Sequence, residues 1–141
     1  MILFFSETKF HLSQKRLAKK WLVNVVKQEN KNIGDINFVF CSDEHLLELN
    51  KQYLKHNTLT DIITFDYSEE NFLHGDIYIS IERVIDNAAK FNCNFEEELR
   101  RVMAHGIFHL CGYYDKRNID KLLMKEKEDE ALILFNTLYN Y

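Results

Sequence analysis

Residues Asn94–Asp115 read NFEEELRRVMAHGIFHLCGYYD, and they set the architecture. Asn94 followed three residues later by Glu97 is a capping-box pattern, the mark of a helix start. Phe95, Leu99, Val102, Met103, Gly106 and Leu110 then recur at helical spacing and form one apolar stripe. Gly112 is the natural stop, because glycine accepts the left-handed backbone that closes a helix. The spacing predicts a helix over 95–110 with its stripe on a core.

His105 and His109 lie along one flank of that stripe. Four residues apart on a helix, they stack on one face with Cβ atoms about 5–6 Å apart. Two imidazoles so placed can take two corners of a tetrahedral metal, and Asp115, just past the turn at Gly112, can deliver a third ligand. Three protein ligands leave one position for water, which is the catalytic zinc arrangement, with one Zn²⁺ expected per chain. The metalloprotease signature HExxH needs Glu after the first His as general base. Here that residue is Gly106, so the helix is metalloprotease-like in its ligands but a protease is disfavoured. Gly106 costs a helix about 1 kcal/mol relative to Ala, which makes sense where something approaches the backbone closely. Glu98 shares the histidine flank two turns earlier. A solvated acid of the first helical turn is the expected reading, and a partner for a ring N–H is the alternative.

Working outward, Ile2–Phe5 reads as a strand, and Ser13 is expected to cap a helix carrying Leu17, Trp21, Leu22, Val25 and Val26. Gly34 punctuates before a strand at Ile36–Cys41. Ser42 or Asp43 can cap a helix through Leu46, Leu47, Leu49, Asn50 and Tyr53, with a polar loop over His56–Thr60. Ile62–Tyr67 and Asp76–Ser80 are strand runs around a loop at Ser68–Gly75, spaced like a hairpin, to pair with each other or with the sheet edge. Ser80 caps a helix through Val84, Ile85, Ala88 and Phe91. A last helix covers roughly Asp120–Leu138, and its charge run Lys125–Glu130 reads as a solvated face. The sum is an α+β fold, a single domain over residues 1–141, with a small mixed sheet of about four strands packed by about five helices. Early strand–helix alternation predicts some parallel pairing through right-handed crossovers.

Composition agrees. The 141 residues are 46% apolar and 28% charged with no proline, an ordinary globular balance that excludes a disordered or collagen-like chain. No apolar run approaches the roughly 18 residues of a membrane span. Met1–Phe5 lacks the basic flank and length of a signal peptide. Cys41, Cys93 and Cys111 are odd in number and scattered, which fits a reducing, cytoplasmic setting. Net charge is −4, so a generally basic nucleic-acid coat is disfavoured. Residues 1–30 nonetheless carry a net +4, from Lys9, Lys15, Arg16, Lys19, Lys20 and Lys27 against Glu7 and Glu29. They are either the wet side of one helix or a flank that steers a polyanion.

At residues 105–115 the sequence resembles the YbeY family, bacterial metal-dependent endoribonucleases and rRNA maturation factors. The family pattern H-G-x-L-H-L-x-G-Y-D-H meets H-G-I-F-H-L-C-G-Y-Y-D here. The family's L-N-x-x-Y-R and T-D-V-L-S-F are similar to Leu49–Leu54 and Thr60–Phe65, and G-D-I-x-I-S is similar to Gly75–Ser80. The resemblance implies a hydrolase of single-stranded RNA, acting on the 3′ end of small-subunit rRNA in association with the ribosomal subunit and its proteins. It implies His105, His109 and Asp115 as the catalytic, Zn²⁺-holding residues. Asp115 stands where the family has a third His, and a carboxylate is a harder donor, which broadens tolerance of other divalent metals. Leu54 stands where the family has a phosphate-facing Arg. Lys55 can supply charge there, but only as a point charge without the bidentate fork. With it, Arg16, Lys19 and Lys20 are the candidate RNA-binding residues. Tyr113 and Tyr114 either stack on a base or pack the turn. The rival readings are a non-catalytic ribosome-assembly factor with a structural metal, and a metal hydrolase of another substrate.

Overall fold

The computed structural model describes residues 1–54 and 60–139. Among them are the strands β1 (Ile2–Ser6), β2 (Asn32–Cys41), β3 (Ile62–Asp66) and β4 (Phe72–Ser80). The helices are α1 (Lys15–Gln28), α2 (Asp43–Leu49), α3 (Ile81–Lys90), α4 (Phe95–Leu110) and α5 (Asn118–Tyr139). The sheet order is β1-β2-β4-β3. β1 and β4 run parallel to β2, and β3 closes one edge antiparallel to β4. This is the mixed sheet that the strand–helix alternation predicts, and the runs on either side of residues 68–71 do pair with each other.

The two faces of the sheet are covered unequally. Ile36, Phe38 and Phe40 of β2 alternate onto one face, where they meet Trp21, Leu22 and Val26 of α1 and Met103 and Ile107 of α4. Trp21 also donates its indole N–H to the Ala131 carbonyl of α5 at 2.8 Å, which satisfies its buried polar atom. On the opposite face Cys41 and Ile63 pack with Leu46 of α2 in a smaller cluster.

α4 positions the site. Its cap is Asn94, whose side chain accepts from the Glu97 N–H at 2.8 Å. Gly106 lies directly on the sheet: a Cβ there would stand 2.9 Å from Ile77 Cγ2 and 3.1 Å from Ile62 Cδ1. The glycine is therefore the close approach that its helix penalty suggested. Gly112 follows at φ +101°, the left-handed region that turns the chain back toward the histidines.

Several local expectations are corrected. Ser13 does not cap α1; the helix begins after Gln14, itself left-handed at φ 55° and without a side-chain cap. Gly34 does not end a segment but lies inside β2, where the His74 ring of β4 covers it and accepts the Asp35 N–H at 2.9 Å. His74 is thus packed across the strand pair. Phe72–Gly75 belong to β4, leaving only a short turn before it. Asn50–Leu54 do not continue α2 as an ordinary helix but form a π-helical turn with Asn50 buried. Lys55 and His56 lie outside the described residues.

Candidate metal centre

His105 and His109, on the last two turns of α4, bring their Nε2 atoms to 2.9 Å from each other. Asp115 Oδ2 lies 3.2 Å from the first and 3.3 Å from the second. A tetrahedral zinc with bonds of 2.0–2.1 Å has ligand–ligand edges of roughly 3.3–3.4 Å. The triangle of donor atoms is close to that size.

The tautomers make the same point. His109 Nδ1 is 3.0 Å from the Tyr113 carbonyl, which can only accept, so Nδ1 carries the proton and donates. His105 Nδ1 donates to Glu128 Oε2 at 2.6 Å. Both Nε2 lone pairs therefore face each other and a carboxylate oxygen. Three donor atoms so close together are held either by a proton on His105 Nε2, which Glu128 and Asp115 favour, or by a divalent metal, whose size they fit.

The orienting groups are themselves held. Glu128 turns Oε2 to His105 and Oε1 to Arg101 Nη1 at 3.0 Å, while Arg101 Nη2 donates to Asp129 Oδ1 at 2.6 Å. Tyr113, whose carbonyl fixes His109, donates its hydroxyl to Glu29 Oε1 at 2.5 Å, and Lys127 Nζ donates to Glu29 Oε2 at 2.9 Å. Such outer partners set ring orientation and raise ligand basicity. Glu128 belongs to the run 125–130 expected to be a solvated face. The structure corrects this: Glu128 is buried and Lys127 is paired.

Glu98 is corrected too. It is 4% exposed rather than solvated, yet the carboxylate that receives the His105 N–H is Glu128, on the next helix, α5. Burial, and then repulsion from Asp61, push the Glu98 carboxyl up to about 7 against the pull of Arg101. Burial also raises Asp61, against the attraction of His105. For His105 itself burial works against the charged form, but the bond and charge of Glu128, then Asp115 and Asp61, outweigh it and the pKa rises. Burial and the neighbouring His105 lower His109.

A cleft of about 610 Å³ opens over the three donors, between β3 and the turn after α4. Leu54, Asp61, Thr64 and Asp66 line one side and Tyr113, Tyr114, Asp115 and Lys116 the other. Leu54 thus reaches the cleft without the charge of an arginine, and among the described lining residues Lys116 carries a positive charge. Tyr113 packs the turn, whereas Tyr114 is 70% exposed. Arg16, Lys19 and Lys20 are not brought to this cleft. Their neighbours Gln14, Leu17 and Ala18 share a separate cavity with Asn94, Phe95 and Glu96 at the start of α4. At about 1.5 Å per residue, that is some 15–20 Å from the histidines.

Asp61 and Glu128 were not singled out by the sequence. Asp61 sat inside the Thr60–Phe65 block without a role, and Glu128 pairs with a residue 23 positions away, a link with no local signature.

Comparison with known proteins identifies the family. Residues 4–136 match the family model described as Endoribonuclease YbeY. The chain is 54% identical over 140 residues to the Endoribonuclease YbeY of Flavobacterium psychrophilum, covering 99% of this chain and 100% of that one. It is 53% identical to the Endoribonuclease YbeY of Flavobacterium johnsoniae, covering 96% and 98%. Among solved structures, the solution structure of TM1509 from Thermotoga maritima superposes with a TM-score of 0.70 at 31% identity, over 99% of this chain and 92% of that one. By that family match and those near-full-length identities, the chain belongs to the Endoribonuclease YbeY family.

Proposed function

We propose that this chain, acting as a single domain, is a metal-dependent endoribonuclease that cuts single-stranded RNA. Zn²⁺ is the proposed ion, one held by His105, His109 and Asp115. The 3′ end of small-subunit rRNA is the proposed substrate, in the cytoplasm and in contact with the ribosomal subunit. The observation that carries the reading is the convergence of two Nε2 lone pairs and one carboxylate oxygen within 2.9–3.3 Å at the floor of an open cleft. A relative of 54% identity over nearly the whole chain is named an endoribonuclease, which supports the reaction class.

When bound, such an ion supplies Lewis-acid polarisation of a phosphoryl oxygen and a lowered pKa for water. The chain's own residues do the rest. Glu128 and the Tyr113 carbonyl keep both imidazoles in the tautomer that presents Nε2. Asp61 lines the cleft beside His105, and its raised pKa suits it to take a proton from an attacking hydroxyl. Lys116 offers a positive contact for a phosphate, and the exposed Tyr114 ring offers a base a stacking surface. Lys55 adds charge near Leu54. Arg16, Lys19 and Lys20 serve as an outer contact for a strand long enough to reach α1.

The test is cleavage of a single-stranded RNA by the zinc-loaded protein, beside the chelated protein and His109→Ala. Cleavage by the loaded protein alone supports the reading. Tight RNA binding with no cut at any metal load, and unfolding on chelation, would instead favour an assembly factor with a structural metal, as the loss of the family arginine at Leu54 allows.

A further inference from the structure

A second group of donors lies on the other face of the sheet. Glu7 follows the end of β1, Cys41 is the last residue of β2, and His45 is on α2. One carboxylate oxygen, the thiol sulfur and one imidazole nitrogen all lie within 4.8 Å of one another. A tetrahedral zinc with bonds of about 2.3 Å to sulfur and 2.0–2.1 Å to nitrogen or oxygen needs edges of roughly 3.3–3.7 Å. Side-chain adjustments of an ångström or so bring this cluster there.

The backbone under each donor is anchored. The Glu7 N–H donates to the Phe40 carbonyl at 2.8 Å, which holds residue 7 beside Cys41. The His45 N–H donates to Ser42 Oγ at 3.2 Å in the cap of α2, and the imidazole meets Tyr78 edge-on with ring centres 6.0 Å apart. Glu7 Oε1 already stands 2.5 Å from His45 Nδ1, in hydrogen-bond contact. Cys41 is buried and free of any disulfide. Its thiol is pushed up to about 12 by burial and by the negative charges of Glu7 and Asp43. A divalent ion reverses that balance, since coordination deprotonates a thiol and releases the proton. The Glu7 and His45 side chains remain 45% and 36% exposed, so an ion can enter from solvent.

We propose that Glu7, Cys41 and His45 form a second divalent-metal site, distinct from the histidine–aspartate centre, that takes a thiophilic ion such as Zn²⁺ and ties the ends of β1 and β2 to α2. Thiolate and imidazole together select zinc over magnesium or calcium. The ion takes the place of the direct contact between Glu7 and His45.

Cobalt(II) titration of the full chain tests this separately from the proposed nuclease centre. A thiolate bound to cobalt gives a strong near-ultraviolet charge-transfer band, which a site of two imidazoles and a carboxylate does not. The band is expected in the wild type and in His105→Ala/His109→Ala, and lost in Cys41→Ser. His45→Ala and Glu7→Gln, at partly exposed side chains, are expected to weaken cobalt binding in that band at least tenfold. Zinc content by elemental analysis should fall by one ion per chain in His45→Ala, with RNA cleavage retained. Visible cobalt bands without the near-ultraviolet band in the wild type, or a band that survives Cys41→Ser, overturns the proposal. Loss of the band in His105→Ala/His109→Ala but not in His45→Ala overturns it as well.

Discussion

The histidine–aspartate cluster beside α4 and the Glu7–Cys41–His45 cluster beside α2 each bring three donors together, but they are prepared differently. In the first, each imidazole is oriented by a group that is not itself a donor: Glu128 for His105 and the Tyr113 carbonyl for His109. Their Nε2 atoms are left facing each other and Asp115, the arrangement that the proposed ion would take up. In the second, His45 leans on Glu7, so the cluster satisfies two of its members without a metal. The lesson is that donor identity makes a site possible, while independent orienting partners make it ready.

The largest expected effect separates the two clusters outright. Asp115→Ala removes a donor from the ready centre and should cut its metal affinity by more than the roughly 10–100-fold that losing an orienting partner costs. Competition with a chromophoric chelator reads this directly. Unchanged affinity would mean that Asp115 is only a neighbour.

Next comes the orienting group itself. Glu128→Gln keeps the shape but withdraws the charge from His105 and breaks the carboxylate bridge to Arg101. It should lower zinc affinity at this centre by roughly 10–100-fold and leave the Cys41 charge-transfer band untouched. Equal losses at both clusters would show general unfolding instead.

Glu98 sharpens the picture through pH. Its folded pKa of about 7 lies above the ordinary 4.5, so the folded state holds the proton more tightly than the unfolded chain. Its contribution is therefore intact below about pH 4.5 and is lost as pH rises through 7. Glu98→Gln should leave stability unchanged at pH 4 and raise it at pH 8, by at most about 3 kcal/mol. Urea unfolding at the two pH values checks it; a gain at pH 4 alone contradicts the assigned cause.

The smallest effect concerns the distant cations. Lys19→Glu/Lys20→Glu should weaken single-stranded RNA binding a few-fold at low salt and lose that effect as salt is raised. No change at low salt would confine RNA to the cleft over α4.

The α4 helix was readable to the residue, from Asn94 to Leu110, because its cap, apolar stripe and stop are all local signals. So was the convergence of His105, His109 and Asp115, which crowd into eleven consecutive positions. What escaped were links that join distant residues. Glu128 looked like one member of a mixed-charge run, and nothing near it reveals that α5 packs it under His105. Glu98 looked like a first-turn acid, and its burial follows only from what α3 and α5 lay over that flank. Gly34 looked like punctuation because the ring that covers it comes from His74, forty residues on. Glu7, Cys41 and His45 are brought together by parallel pairing of β1 with β2, which no spacing rule encodes.

One missing methyl group has a mechanical consequence. At Gly106 the backbone of α4 rests on Ile77 and Ile62 with no room for a Cβ. Alanine there must act as a shim, lifting the helix off the β-strands and tilting both imidazole rings away from the rim that β3 provides. The width of the proposed RNA cleft is thus set one residue after His105 and three before His109, by an atom the chain does without.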